Sequence, residues 1–361
     1  MKVLHYIECA DLTFCVPWVD LMKELENQGV QQALLCRPGG RLEKVAREQG
    51  IEVVTWKPAV TNLPAVNLKF KSIIKQTRPD VIHTRLSSAA NIAGFWGKRF
   101  GIPVIAMLDG AYNFKYYSNA SHYMACSQWA KDHIVSQGVE SERVDVVYNS
   151  INVKKYLPDE TAVEVRKKFR TENNISPEDK VFVGAGSFFP GKGFECLIRA
   201  FASLAKNYKS TKLLIAGDGP LRACYLDLIS SLGIKESVIV SKAFVPDIRP
   251  WLWSADFFVL PSRIEAFGII ILEAMASGLP AIVTNNRGPG ELVDDGINGL
   301  TFPPDDVEAM RSAMERYLNM GDEETERIRN TATVRLQNFT SFSLATRQME
   351  IYKKVLSRES H

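Results

Sequence analysis

Long hydrophobic runs are missing from this sequence. No apolar stretch approaches the roughly 18 residues that a membrane-spanning helix needs. The first residues, MKVLHYIECADLTF, carry His5, Glu8 and Asp11 within a short apolar stretch, which is not the layout of a signal peptide. The 361 residues are 46% hydrophobic and 24% charged, as in globular proteins. We therefore expect a cytoplasmic protein with two domains.

Closely spaced cysteines and histidines are also missing. The six cysteines (residues 9, 15, 36, 126, 196 and 224) form no Cys-x-x-Cys pair, so we expect reduced structural thiols. His5 and His122 show no metal-ligand spacing with other ligating residues, and no metal site is expected. His83 ends a predicted strand and could line a cleft, although a structural histidine is the favoured interpretation.

A large net charge is the third absence, because the chain carries only +3. The excess lies in residues 1–160, which hold 19 basic against 16 acidic residues. Residues 66–100 contain seven basic residues and a single acid, Asp80. This pattern suggests either peripheral contact with an anionic membrane surface or a solvated helix face. No basic–aromatic motif favours nucleic acid as a partner.

What the sequence does contain is a regular alternation of strand-like and helix-like segments, each with glycine stops. The buried, Val/Ile-rich strands predict parallel sheets covered by helices, in two Rossmann-like α/β domains facing across a cleft. We place the domains at residues 1–155 and 165–339, with a polar linker near 152–180. Ligands in such sheets bind at the carboxyl ends of the strands.

The glycine-rich stretch VGAGSFFPGKGFECLI, residues 183–198, predicts a strand, a turn and a helix. Phe189 stands where a dinucleotide fingerprint needs glycine, which disfavours a nicotinamide cofactor. A P-loop also fails, because Ser or Thr does not follow Gly-Lys. Lys192, between Gly191 and Gly193 and before a helix N-terminus, is left as either a phosphate-binding group or an ordinary surface lysine.

A second stretch, SRIEAFGIIILEAMASGLP at residues 262–280, carries two carboxylates eight positions apart. Eight helical residues turn by about 800° and rise by about 12 Å, so Glu265 and Glu273 would lie within about 80° of one another. That separation suits the two ends of an elongated polar ligand. The amides of Phe267, Gly268 and Ile269 at the predicted helix start favour an anion.

These motifs together resemble a known family. EAFGIIILE resembles the Glu-x7-Glu signature of retaining, nucleotide-sugar-dependent glycosyltransferases with the GT-B fold, of the group 1 and family 4 type. The segments ADFFVLPS, EAMASGLPAIVT, GELVDDGINGL, FPPDD, PGKGFECLIRAF, LLIAGDGP and, more loosely, VVYNSIN resemble the same family. The resemblance is strong over residues 180–310 and weaker over 1–150.

The resemblance implies a donor site in the second domain. It assigns Glu273 to the ribose hydroxyls and Glu265 to the donor sugar. It assigns Lys192, beside Gly191, to the diphosphate, without an obligatory metal or other cofactor. Further donor-binding positions implied by the resemblance are Phe244 and Val245 near the base and Phe267, Gly268 and Ile269 near the sugar. In the family the last helix, here within residues 340–361, packs back on the first domain.

The resemblance further implies an acceptor with a free hydroxyl, which we expect to be a glycan or lipid-linked glycan of the bacterial cell envelope. Three departures from the family pattern bear on this expectation. Ser187 replaces a basic residue in the donor loop, and ECADLTFCVPW replaces a glycine-rich loop after the first strand. Asp109-Gly110 stands where His-Gly is common. Asp109 could therefore act on the acceptor as a catalytic group or be a turn aspartate, and a catalytically impaired, nucleotide-sugar-binding homologue is the alternative.

Overall fold

The computed structural model describes residues 1–10, 15–110 and 114–359. Its contacts divide the chain into two compact units, residues 1–152 with those from 338 onward, and residues 153–337. Residues 11–14, which belong to the segments MKVLHYIECADLTF and ECADLTFCVPW, and the last two residues of the predicted C-terminal helix lie outside the described residues.

The first unit contains a parallel sheet in the order β3-β2-β1-β4-β5-β6-β7. Its described strands are β1 (Lys2–Ile7), β2 (Gln31–Cys36), β3 (Glu52–Thr55), β4 (Val81–Arg85), β5 (Val104–Leu108), β6 (His122–Ala125) and β7 (Val144–Val146). The helices between them are α1 (Cys15–Asn27), α2 (Arg41–Glu48), α3 (Leu68–Thr77), α4 (Ser87–Phe100) and α5 (Gln128–Ser136). Every residue of β4 and β5 is buried, as expected for strands covered on both faces.

The second unit contains a parallel sheet in the order β10-β9-β8-β11-β12-β13. Its described strands are β8 (Lys180–Ala185), β9 (Thr211–Ala216), β10 (Val238–Val240), β11 (Phe257–Leu260), β12 (Ala281–Thr284) and β13 (Leu300–Phe302). Its described helices are α6 (Val153–Tyr156), α7 (Ala162–Glu172), α8 (Phe194–Leu204), α9 (Arg222–Ser231), α10 (Arg249–Ser254), α11 (Ile269–Ala276), α12 (Arg287–Leu292), α13 (Val307–Asn319) and α14 (Asp322–Leu336). The two parallel α/β sheets confirm the predicted fold class.

The polar stretch near residues 152–180, in which VEVRKKFR predicts a charged helix, contains α6 and α7. Within it, Arg166 and Arg170 of α7 each donate to the carboxylate of Asp256, at 2.6 and 3.0 Å. Arg170 also donates to the backbone oxygen of Ser254. The polar stretch at residues 152–180 therefore contains a helix that is held to α10 and to Asp256, before β11, by charged side chains together with the ring contact of Phe169 with Trp251.

The last helix, α15 (Ser341–Glu359), belongs to the first unit and packs on α1. Its apolar face is buried through Leu344, Ile351, Tyr352 and Val355. Lys354 of the same helix donates to Asp145 of β7 at 2.7 Å. The helix therefore completes the covering layer of the first sheet.

Candidate functional site

At the carboxyl edge of the second sheet, neighbouring loops are joined by backbone hydrogen bonds. The loop after β8 is joined to the loop after β9 by two backbone hydrogen bonds. The Phe188 amide donates to the Asp218 carbonyl at 2.8 Å, and the Leu221 amide donates to the Phe188 carbonyl at 3.1 Å. A Cβ on Gly217 would stand 1.9 Å from the Gly186 oxygen. Gly217 of the segment IAGDGP is thus required, because two backbones approach each other too closely for a side chain there.

The Lys192 loop is held in the same way against the loop that follows β11. Gly193 has φ +70°, and a Cβ there would stand 1.9 Å from the Pro261 oxygen. Gly191 has φ +92°, and its carbonyl accepts the Arg263 amide at 2.8 Å. Both glycines occupy the left-handed region that other residues rarely adopt. These two features fix the backbone on either side of Lys192.

The structure brings Lys192 and Glu265 together. The Lys192 ammonium donates to the Glu265 carboxylate at 2.8 Å, with the two side chains 28% and 21% exposed. An exposed pair of this kind contributes little to stability. Its groups remain accessible to a ligand, so an anion could be received by Lys192 and hydroxyl groups by Glu265.

The start of α11 lies directly after Glu265. Gly268 caps the helix with φ +96°, Phe267 before it is buried, and Ile269 is the first helical residue. The first amides of a helix have no acceptor within the helix and carry the positive end of its dipole. The three residues predicted from the sequence therefore form a short turn whose electrostatics favour an anion beside the Lys192–Glu265 pair.

Glu273 sits in the middle of α11 and has a partner that the sequence did not reveal. Burial raises the pKa of Glu273, and the Tyr156 hydroxyl, which donates to it at 2.7 Å, opposes that rise. Lys155 also lowers this pKa, whereas Asp247 raises it. The Tyr156 backbone oxygen accepts from Trp253 and Ser277, which fixes α6 against α10 and α11. One Glu273 oxygen is thereby oriented by Tyr156.

The remaining predicted donor residues lie in the loops that follow β8 and β10. Ser187 is exposed in the first of these loops. Phe244 is 61% exposed and Val245 is partly buried. Arg222 and the backbone of Phe244 both hydrogen-bond to Asp218, which lowers the pKa of that carboxyl. Asp218 therefore links Phe244 to the loop after β9.

In the first unit, Asp109 is engaged by Arg85. The Arg85 guanidinium at the end of β4 donates twice to the Asp109 carboxylate, at 2.6 and 2.6 Å, and once to Asn149 at 3.1 Å. It also lies over the Trp18 ring. Arg85 thus positions the Asp109 carboxylate after β5, a contact that neither of the two roles expected from the sequence had included. The sequence signal was present in VIHTR, where a charged residue, Arg85, ends a predicted strand.

A second charged pair, Glu8 with Arg37, joins the ends of β1 and β2. Glu8, which is buried after β1, accepts hydrogen bonds from Arg37 and from Ser88, the latter at 3.0 Å. His83 is buried and bonds Tyr352 of α15 at 2.7 Å, which agrees with the structural interpretation of this histidine. Two charged pairs, Arg85 with Asp109 and Glu8 with Arg37, thus lie at the carboxyl edge of the first sheet.

Among the described residues, no cluster of His, Cys, Asp or Glu could hold a metal ion. No described helix is both long and apolar enough to cross a membrane.

Two family models match successive parts of the chain. The model of "Glycosyl transferases group 1" matches residues 165–335, and that of "Glycosyltransferase Family 4" matches residues 18–155. Together they support a group 1 glycosyltransferase with the GT-B fold.

The chain is also similar to individual proteins. An uncharacterized glycosyltransferase of Methanocaldococcus jannaschii is 32% identical over 49% of this chain, a match that spans 45% of that protein. The lipopolysaccharide core biosynthesis glycosyltransferase LpsE of Rhizobium meliloti is 26% identical, with 88% of this chain and 89% of LpsE covered. The Anabaena protein HepE, solved in complex with UDP-glucose, superposes with a TM-score of 0.81 at 19% identity, over 98% of this chain and 100% of HepE.

Proposed function

Because two glycosyltransferase models account for residues 18–155 and 165–335, we propose that this chain transfers a sugar from a nucleotide diphosphate sugar to a hydroxyl group. The acceptor is a glycan or lipid-linked glycan of the bacterial cell envelope, and the anomeric configuration of the donor is retained. The protein acts in the cytoplasm, in peripheral contact with the inner face of the cytoplasmic membrane.

The Lys192–Glu265 pair at the start of α11 carries this proposal. A departing nucleoside diphosphate develops negative charge, which an ammonium group and helix-start amides stabilise. Lys192 would take up this charge, while Glu265 would accept hydrogen bonds from the donor sugar. Because these groups already supply positive charge, we expect transfer to continue after chelation of metal ions.

Glu273, held by Tyr156, would accept the ribose hydroxyls through its remaining oxygen atom. Gly191, Ser187, Phe244 and Val245 line the loops on which the diphosphate and base would rest. The names of the relatives support this class of donor and acceptor, since HepE was solved with UDP-glucose and LpsE acts in lipopolysaccharide core biosynthesis. Asp109, fixed by Arg85, would act on the acceptor only through its position and charge.

The proposal is tested by replacing the two central residues. Lys192→Ala and Glu265→Ala should each lower turnover by about 100-fold or more, the scale of losing one preorganised charge-stabilising group. Lys206→Ala, on an exposed lysine of the second unit, is the matched control and should leave turnover unchanged. Circular dichroism confirms folding, and NMR of the product gives its anomeric configuration.

Three results would contradict parts of the proposal. Near-normal turnover in both variants would remove the assigned roles. An inverted product would overturn the retaining mechanism. Nucleotide-sugar binding by the unmodified chain without transfer to a broad acceptor panel would favour a binding protein that has lost transfer.

A further inference from the structure

One surface of the first unit combines exposed apolar side chains with exposed lysines. We name residues 57–75 the β3–α3 surface. Four large apolar side chains within nine residues are exposed here: Val60 (42%), Leu63 (58%), Val66 (52%) and Leu68 (66%). Exposed single apolar residues are ordinary, but a cluster of this kind marks an interaction site.

The charges around these side chains are of one sign. Residues 53–79 contain five basic residues and no Asp or Glu. Lys57, Lys69, Lys71 and Lys75 are all exposed. The sequence had indicated a basic excess in this part of the chain without showing which apolar residues accompany it.

Helix α3 separates its two faces clearly. Its buried residues are Phe70, Ile73, Ile74 and Thr77, which follow the spacing of a single helix face. Leu68, Lys71 and Lys75 recur at the same spacing on the exposed side. The buried face packs in the first unit, where the Phe70 ring lies 5.3 Å from that of Tyr6. Leu68, the exposed apolar residue of this helix, is therefore not needed for its packing.

The loop before α3 is held in a defined shape, although its apolar side chains face outward. Asn67 is buried, and its side chain accepts the Ala59 amide and donates to the Val60 and Leu63 oxygens. The indole of Trp96 in α4 donates to the Pro64 oxygen at 3.0 Å. These bonds fix the backbone that carries Leu63 and Val66, so the apolar cluster is presented without ordering a flexible segment.

From these observations we infer that the β3–α3 surface docks on an anionic phospholipid bilayer. The lysines match the negative charge of the headgroups, while the four apolar side chains enter the boundary between headgroups and acyl chains. Lipid docking follows from the surface itself. Its use in reaching a lipid-linked acceptor rests on the proposed function.

Vesicle sedimentation of the full chain tests this inference. The protein should bind vesicles of phosphatidylcholine with phosphatidylglycerol and bind vesicles of phosphatidylcholine alone at least about tenfold more weakly. Replacing Leu63 and Leu68 by Ser should weaken binding about tenfold, because less apolar area enters the bilayer. Replacing Lys69 and Lys71 by Gln should weaken binding and make it less sensitive to salt.

Helix α7 of the second unit provides the matched control. Val163 there is 76% exposed and is followed by two exposed lysines, Lys167 and Lys168. Val163→Ser with Lys167→Gln and Lys168→Gln should leave vesicle binding unchanged. Thermal melting of each variant verifies that the fold is intact.

Several outcomes would overturn the inference. These are no binding to anionic vesicles, equal binding to neutral vesicles, and equal loss in the α7 control. Binding to a single-stranded oligonucleotide that depends on the lysines but not on the leucines would also overturn it in favour of nucleic acid. Since vesicle binding needs neither donor nor acceptor, its failure and the failure of sugar transfer are separate results.

Discussion

The carboxyl edges of the two sheets differ in how far their charged pairs are buried. In the first unit, charged side chains are paired with each other, Arg85 with Asp109 and Glu8 with Arg37. Glycines allow backbones to meet in both units, at Gly40 and Ala10 in the first and at Gly193 and Pro261 in the second. The Lys192–Glu265 pair on that second edge stays partly exposed. The Arg85–Asp109 pair is largely buried, so its charges act within the protein, whereas the Lys192–Glu265 pair leaves its charged groups accessible to a ligand.

Breaking the Arg85–Asp109 pair should lower the free energy of unfolding more than any other change considered. Arg85→Met leaves the Asp109 carboxylate largely buried without its guanidinium partner, and should destabilise the protein by about 3–5 kcal/mol. Urea unfolding measures the change. Adding Asp109→Leu should recover part of the loss, because the unpaired charge is removed. A loss below about 1 kcal/mol in the single variant would show that the pair does not hold this edge.

The second edge should be most sensitive at its glycines. Gly193→Ala combines a left-handed backbone with a collision against the Pro261 oxygen, and should cost about 3 kcal/mol. Gly278→Ala is the matched control, because Gly278 also has positive φ, +78°, but a Cβ there meets nothing within 4 Å. The control should cost about 1 kcal/mol. Equal losses would mean that close backbone approach is not what requires glycine in the Lys192 loop.

Mild acid should distinguish the two units, because residues 153–337 contain no histidine. Burial lowers the pKa of His5 in β1 to about 4, although its bond to Gln32 opposes this, and burial also lowers the pKa of His83. The unfolded chain therefore binds more protons than the folded chain as pH falls from about 6.5 towards 4. His5 contributes stability above pH 6.5 that is lost over this window.

Between pH 7 and pH 5, His5 alone should lower the free energy of unfolding by about 2 kcal/mol. Urea unfolding monitored by probes in each unit measures this loss, which should appear in the first unit. His5→Gln should flatten the pH dependence by the same amount. An unchanged slope in that variant would show that His5 does not titrate as proposed.

The smallest expected effect concerns Tyr156. Tyr156→Phe removes one hydrogen bond to Glu273, worth about 1 kcal/mol, so the KM for the donor should rise about fivefold with little change in kcat. Because that bond lowers the Glu273 pKa, the variant should also lose donor binding at a higher pH than the wild type. Donor titrations from pH 5 to pH 8 give both values. Equal pH profiles would leave Tyr156 with a packing role alone.

Much of this architecture could be predicted from sequence, because fully buried parallel strands such as VIAML produce unmistakable apolar runs between amphipathic helices. Strand β6, HYMA, was missed because His122 and Tyr123 interrupt the apolar pattern, although both are buried. Strand β13, Leu300–Phe302, was missed because its three residues stand between a glycine turn and two prolines and form no distinct apolar run. Short strands depend on their neighbours for pairing, and local pattern carries little of that information.

The residues of the candidate site could likewise be predicted only in part. Lys192, Glu265 and the start of α11 could be identified because glycine spacing and a helix start leave marks in the sequence. The partners of Glu273 and Asp109 could not, since Tyr156 is 117 residues from Glu273 and Arg85 is 24 residues from Asp109. Such pairings are fixed by the packing of α6 on α11 and of β4 beside β5.

Binding of a nucleoside diphosphate to the second unit is the central claim, and a thermal-shift measurement with the full chain tests it most directly. Nucleoside diphosphates of each base should be compared with nicotinamide dinucleotides, on the wild type and on Lys192→Ala. One nucleoside diphosphate at about 100 times its Kd should stabilise the wild type by about 2.7 kcal/mol, and most of that shift should vanish in Lys192→Ala. Stabilisation by none of them, or a shift that is the same in both proteins, would contradict the account.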